Sequence, residues 1–532
     1  MSFCYNGIMT LTAKTDKNDR PITRETILEL EDIIEKKSLV IQHHEARIRV
    51  LEEFLRLEKH KRFGSSSEQY PGQGELFNEA ESILEGAEQD AIEPKRLDEP
   101  LEETTPKKKP GRKGFSDLLP REQVFIDLSD EEKEGALDTF YSKVKEELDI
   151  VPAKVRIIEY MQEKAVFVEN GQRKIVTAAL PKHPIGKVMA SIGLLAYLII
   201  AKYMDGLPLY RLEGILKRYG GDVTRTSMAS WIIALAEQCQ PLIHVMREHQ
   251  HSGSLVQMDE TRIQVLKEPG YVTTGNKYMW VTLGGPPNEP VVIFDYDPSR
   301  GHEVPLRLLD GYQGYLQSDG YAGYDAASDE LKLVQVGCWD HCRRKFKDAQ
   351  SAQPKGMKNT HTKADIALAK IGKLYRIERK IKKLTAKQKY EVRQKKSLPI
   401  LRDLKDWMDK NMGKSPKDSL ISTALIYMNN QWPKLIRYCE DGNIPISNIL
   451  AENAIRPFVI GRKAWLFSDT PKGARASGIF YSLIETAKAN GVEPYAYLRH
   501  IFKALPYADS VEKIEALLPW NVKGDVTALR GK

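Results

Sequence analysis

LVQMDETRIQVL, residues 255–266, alternates apolar and polar side chains and is rich in β-branched residues. That pattern predicts a half-buried strand. YMWVTLGG at 278–285 and PVVIFDYDPSR at 290–300 read as the next two strands, ended by Gly-Gly-Pro-Pro and Pro-Ser-Arg. GYLQSDGYAGYD at 314–325 gives a short fourth strand, with Asp319 at its end before Gly320. LKLVQVGCWDHCRRKF at 331–346 is a fifth strand running into a basic helix.

Three strands suited to antiparallel pairing, then a fourth, a short helical turn and a fifth, is the order expected of a ribonuclease-H-like core. Fold alone does not give function; here function rests on the acids. In such a core the first and fourth strands are neighbours, which directs Asp259 and Asp319 to one spot. Two carboxylates held together repel unless a cation neutralises them. Mg²⁺ is the natural match, being a hard ion that binds carboxylate oxygens. Two such ions can assist an in-line phosphoryl displacement. The plainer alternative for Asp259 is a strand acid capping a turn. A third acid comes from NILAENAIRP at 448–457, where Glu452 and Arg456 share one helix face. There the alternative is an ion pair without a metal.

The chain is 532 residues long, enough for roughly three or four structural units at ~150 residues each. Its net charge of +7 hints at nucleic acid. Cys4, Cys239, Cys338, Cys342 and Cys439 form no CxxC pair, which argues against a disulfide scaffold and for a reducing compartment. No secretory signal pattern opens the chain. The longest apolar run, Val188 to Ala201, is too short to span a bilayer, which needs ~20 residues, and reads as a core helix.

Charge is distributed in blocks. Glu75 to Glu103 holds eleven acids against Lys95 and Arg96 and reads as a solvated linker. It leads into Lys107, Lys108, Lys109 and Arg112, broken by Pro and Gly, which suits either a phosphate-tracking segment or a flexible basic tether. Lys370 to Lys396 carries twelve Lys/Arg and only Glu378 and Glu391, a local +10. It reads as a helical insertion with a phosphate-facing surface, the alternative being a solvated helix. Near the N-terminus Ile27, Ile34, Ile41, Ile48 and Leu55 recur every seven residues, with Leu30 and Leu51 on the companion position and Lys37 and His44 interrupting it. That seam predicts a two-stranded coiled coil, or else one amphipathic helix docked on its own chain. Residues 207–238 predict two helices around Gly220-Gly221, the second capped by Thr224 or Thr226 with Arg225 and Ser227 outward at its start. A DNA-binding helix-turn-helix and a plain helical hairpin fit equally well.

The residues just quoted, together with RFGSSSEQ at 62–69, PGRKGFSDLLPRE at 110–122, LPLYRLEGILKRYG at 207–220 and the long run from Ala451 to Leu498, resemble the DDE transposases of the insertion sequence 66 family. The resemblance covers nearly the whole length. It implies a catalytic and metal-binding triad of Asp259, Asp319 and Glu452, spaced by 60 and 133 residues, using Mg²⁺ or Mn²⁺. It implies that Cys338 and His341, a C-x-x-H element, shape the active site. Arg300, Arg343, Arg344 and Lys345, then Arg456, Arg462 and Lys463, join the basic tether and Arg225 and Ser227 as expected DNA contacts. Terminal inverted repeats and target DNA would be the partners. A homodimer or higher oligomer, accessory proteins of the same element, no membrane, and a bacterial cytoplasmic location near the nucleoid complete the expectation.

Two departures stand out. Family members often carry a cysteine zinc ribbon where residues 121–180 hold no cysteine; Cys338, His341 and Cys342 also lack an evident fourth ligand, so no zinc is expected. Ile449 follows Asn448, and Ser447 precedes it, where the family tends to show paired asparagines and an aspartate. This keeps open a catalytically inactive DNA-binding regulator. A nuclease that cuts without joining is the third reading.

The expected class is therefore α/β: a ribonuclease-H-like core with a helical insertion, an N-terminal coiled coil and a helix-turn-helix region. The expected parts are an N-terminal helix at 1–64, an acidic then basic linker at 65–120 and a small unit at 121–180. A DNA-binding region at 181–248 and the first part of the core at 249–345 follow. The insertion occupies 346–440, the second part of the core with Glu452 occupies 441–475, and C-terminal helices fill 476–532.

Overall fold

The computed structural model describes residues 24–63, 155–169, 172–186, 188–272, 275–353 and 362–522, with single positions or short pieces at 125, 129, 141–143 and 524. The acidic–basic linker, with Lys107, Lys108, Lys109 and Arg112, lies outside the described residues. The protein is mixed α/β. β1 (Lys164–Glu169) and β2 (Gln172–Thr177) form an antiparallel pair of their own.

The central sheet has five strands, where the alternating stretches predicted them: β3 (Leu255–Ile263), β4 (Lys277–Gly284), β5 (Val291–Asp297), β6 (Tyr315–Ser318) and β7 (Val334–Gly337). Their spatial order is β5-β4-β3-β6-β7. β3, β4 and β5 pair antiparallel, whereas β6 runs parallel to β3 and β7 parallel to β6. The period of two sorts β3 cleanly. Val256 and Met258 join a core with Trp280, Leu316 and Tyr324 on one face. Ile263 joins the larger helical core on the other.

Helices Arg225–His251, Ile449–Trp465 and Pro471–Ala489 contribute to that larger core. The edge strand β5 would leave backbone groups unpaired. Helix Pro471–Ala489 supplies the partners: Val292 N donates to Thr486 Oγ1 at 3.0 Å, the Thr486 hydroxyl donates back to Val292 O at 2.9 Å, and Phe294 N donates to Ser482 Oγ at 2.8 Å. Gly478 permits this approach, since a Cβ there would sit 2.7 Å from Phe294 O. Thr486→Val is isosteric but strands both Val292 groups. It is expected to cost about 1–3 kcal/mol, read as a lower urea midpoint, whereas Thr486→Ser loses less.

The insertion between β7 and the Glu452 helix is all helical, among its described residues. Helices Trp339–Ser351, Lys363–Ile381, Leu398–Asn411 and Leu420–Leu435 share a core of Phe346, Ile371, Leu404, Leu425 and Met428. Its basic stretch is not wholly outward. Arg393 is 2% exposed and forks onto Glu378 with bonds of 2.9 and 2.7 Å. Its Nη1 donates to the carbonyls of Tyr438 and Asp441. One of the twelve cations is thus an internal strut. Lys373, Arg376, Lys380, Lys382, Lys383, Lys387, Lys395 and Lys396 are exposed.

At the N-terminus, Arg24–Phe63 is one helix. Val50 and Leu57 are buried, Arg56 Nε donates to Ala352 O, and Glu53 accepts from Leu420 N. Ile34, Ile41, Ile48 and Leu55 of the heptad seam stay exposed in the single chain. The side chains of Ile27 and Leu30 lie outside the described residues. Helix Leu209–Arg218 and helix Arg225–His251 flank Gly220-Gly221, and Thr224 caps the second through Ser227 N. The apolar run at 188–201 becomes helix Ile192–Tyr203, with Leu195, Leu198 and Ile199 fully inside. Among the described residues no helix is long and apolar enough to cross a membrane.

Candidate functional site

The site gathers where β3, β6 and the start of helix Ile449–Trp465 meet. Asp259 lies mid-strand in β3, opposite Val281 of β4. Asp319 follows the last residue of β6, and its Oδ1 accepts from Tyr321 N at 2.9 Å. The parallel register pairs Gln257 with Gln317, so each aspartate sits two residues beyond a matched pair. Burial pushes the Asp259 carboxyl well above the usual carboxylate range, and the charges of Glu260 and Asp319 add to the shift.

Glu452 is in the first turn of its helix and buried. The helix is held at both ends. In its first turn, Ala451 N donates to the Gln257 side chain at 3.2 Å. After it, Leu466 adopts φ 64°, the left-handed region, and the chain returns to extend β3. There Leu266 N donates to Ser468 O and Lys267 N to Asp469 O. The described contacts of Glu452 run to His341, whose Nδ1 lies 3.5 Å from Glu452 Oε1.

Cys338, at the start of helix Trp339–Ser351, completes a cluster with His341 and Glu452 whose ligand atoms lie within 4.8 Å of one another. Burial, aided by the Asp340 charge, raises the Cys338 thiol, while backbone N–H groups of Asn448, His341 and Asp340 point at the sulfur. Cys342 instead lies in the insertion's apolar core. The C-x-x-H element therefore meets the glutamate rather than the second cysteine.

Sequence reading passed over Glu260. The alternation of β3 turns it to the face opposite Asp259. It is nearly buried, pairs with Arg300 at 2.5 Å and accepts from the Tyr324 hydroxyl. Arg300, expected on DNA, is engaged here: its guanidinium lies 4.1 Å from the Tyr321 ring centroid. It remains two-fifths exposed.

The other expected DNA contacts are spread out. Arg225 is exposed, whereas the Ser227 hydroxyl lies 3.0 Å from that of Thr224 in the helix cap. Arg343 and Arg344 are half-buried on the His341 helix, and Lys345 is exposed near the Tyr427 ring. Arg456 is half-buried, Lys463 is exposed, and Arg462 Nη1 donates to Thr261 Oγ1 at 3.4 Å.

Asp259, Asp319 and Glu452 offer hard oxygens of the kind a divalent cation takes. Among the described residues, however, the donor atoms that lie within 4.8 Å of one another are those of Cys338, His341 and Glu452, and the two aspartates are not among them. Among the described residues, buried Asn448, at the start of the Glu452 helix, has no hydrogen-bond partner for its side-chain oxygen or nitrogen, and neither has Glu452 Oε1. Buried polar atoms left so are what a bound ion and its waters would satisfy.

The chain was compared with known proteins. Residues 187–476 match the Transposase IS66 family, residues 482–520 match the IS66 C-terminal element, and residues 50–124 match the Transposase C of IS166 homeodomain. The chain is 34% identical to uncharacterized protein y4qI of Sinorhizobium fredii (strain NBRC 101917 / NGR234), over 71% of this chain and 71% of that protein. It is 28% identical to uncharacterized protein y4hP of the same strain, over 78% of each. The match across 187–476 spans more than half of the chain and takes in both aspartates, the C-x-x-H element and Glu452, so the chain belongs to the IS66 family of transposases.

Proposed function

We propose that this protein is a DDE-type transposase that binds the terminal inverted repeats of an insertion sequence and catalyses metal-dependent DNA cleavage and strand transfer on a ribonuclease-H-like core. The observation that carries the reading is the sheet order β5-β4-β3-β6-β7, with Asp259 in the middle strand, Asp319 directly after its parallel neighbour, and Glu452 on a helix tied to the middle strand through Gln257.

Asp259, Asp319 and Glu452 would hold Mg²⁺ or Mn²⁺. When bound, the ion polarises the scissile phosphate and makes a water or a DNA 3′-hydroxyl a better nucleophile. The chain's own residues hold and shield. Glu452 is buried and Asp259 half-buried, so solvent screens charges weakly there. Arg300 keeps Glu260 neutralised beside Asp259, and leaves the Asp259 face to the ion. Lys345 and Lys463 are exposed and would meet phosphates. No covalent protein–DNA bond is required, since a 3′-hydroxyl can attack target DNA directly.

The exposed cations of the insertion would lie along duplex DNA. Changing Lys382, Lys383 and Lys387 to Gln is expected to weaken binding of any duplex, and to reduce the slope of log affinity against log salt by roughly 3. An unchanged slope would remove this surface from the DNA path. The exposed Ile seam of helix Arg24–Phe63 would pair two protomers, which brings two element ends together.

The deciding assay uses purified full-length protein, labelled terminal-repeat DNA, Mg²⁺ and the accessory proteins of the element. Cleaved and joined products are expected. Cleavage without joining would reduce the protein to a nuclease, and tight binding without cleavage to a DNA-binding regulator.

A further inference from the structure

We propose that Gln257 and Gln317 are positioning residues that set the distance between the Glu452 helix and the two aspartates, an inference that rests on the acid-triad reading above. Both side chains are buried, at 1% and 0% exposure. Unpaired amides there would be costly, and neither is unpaired.

Their bonds form one directional chain. Ala451 N donates to Gln257 Oε1 at 3.2 Å. Gln257 Nε2 donates to Gln317 Oε1 at 2.6 Å and to Ser447 O at 3.2 Å. Gln317 Nε2 donates to Pro445 O at 2.8 Å. Each amide's orientation is dictated by its partners: an N–H at one end demands an oxygen, and carbonyls at the other demand the NH₂ groups. The chain thus clamps both ends of segment 445–451 to two adjacent strands.

What it clamps is chemically pointed. Asp259 lies two residues after Gln257, Asp319 two residues after Gln317, and Glu452 one residue after Ala451. The spacing Gln-x-Asp recurs in both strands, as Gln257-Met258-Asp259 and Gln317-Ser318-Asp319. Every proposed metal ligand is therefore within two residues of one hydrogen-bonded chain. Partners of this kind behind metal ligands typically change affinity by about 10–100-fold when removed.

The test is Mn²⁺ titration of the full-length protein, followed by calorimetry, with Asp259→Asn as the control. Gln257→Met and Gln317→Met, each near-isosteric, are expected to weaken Mn²⁺ binding about 10–100-fold. The double variant should be little worse than either single one, because the chain is already broken. A residue that only packs would lower the melting temperature and leave Mn²⁺ affinity of the folded protein unchanged. If Gln257→Met fails to fold, Gln257→Glu serves. It keeps the acceptor for Ala451 N, loses both donated bonds, and should also weaken Mn²⁺ binding. Wild-type Mn²⁺ affinity in the glutamine variants, with binding lost in Asp259→Asn, would overturn the positioning role and leave the triad standing. Unchanged binding in Asp259→Asn, or no Mn²⁺ binding by the wild type, would overturn the triad and this inference with it.

Discussion

Asp259→Asn is expected to abolish end cleavage and, at the same time, to raise the melting temperature of the metal-free protein. The loss of cleavage should be about 10³-fold or more, since one of the three proposed metal ligands would disappear and ~4 kcal/mol at the barrier is about 10³ in rate. The gain in stability follows from burial first, and then from the charges of Glu260 and Asp319, which oppose ionisation of Asp259 in the folded state. The sign is that of a carboxyl raised on folding. Its contribution is most favourable below the unfolded carboxylate range and is lost as pH rises through the higher folded value. Asparagine carries no charge, so the variant escapes this loss at neutral pH. Divalent metal should raise the wild-type melting temperature in a concentration-dependent way and leave the variant almost unmoved. Thermal scans with and without Mn²⁺ read both effects. A variant that melts below the wild type without metal would contradict the crowding of charge around Asp259.

Arg393→Met should be among the most destabilising single changes in the insertion. The guanidinium makes four bonds in a site where it is 2% exposed: two to Glu378, one to Tyr438 O and one to Asp441 O. Methionine fills much of the volume, so packing changes little. What changes is that Glu378, itself only 15% exposed, keeps a charge without its partner. Breaking a buried pair from one side costs about 3–5 kcal/mol. Replacing both partners, as in Arg393→Met with Glu378→Leu, should recover part of the loss, because no unmatched charge then remains. The readout is the denaturation midpoint of single and double variants. A single variant as stable as the wild type would mean that the fork carries no net stability. A large effect would explain why this one cation of the basic stretch faces inward.

Much of the fold was legible from local pattern. Strand-like runs bounded by tight turns marked all five strands of the central sheet, and the first and fourth of them, expected to be neighbours, pair in parallel. Glycines 220 and 221 and Thr224 marked the break between two helices. The charge count of the insertion was right in total but silent about direction. Arg393 reads like its neighbours in the sequence, and only the packing of Glu378, Tyr438 and Asp441 around it distinguishes it. The acids of the candidate site were found through motif resemblance, whereas Glu260 was hidden by its position beside Asp259.

By itself the sequence determined which segments alternate, which cap and break helices, where charge accumulates, and to which family the chain belongs. These are properties of neighbours along the chain, and a side-chain period reports which face a residue takes. Only the tertiary structure decided what each face meets. Gln257 finds Ser447 and Ala451 from 190 and 194 residues away, and His341 finds Glu452 from 111 residues away. The physical reason is burial. A polar group removed from water must find its partner wherever the packed chain supplies one, and that partner is set by how the insertion and the Glu452 helix close over the sheet.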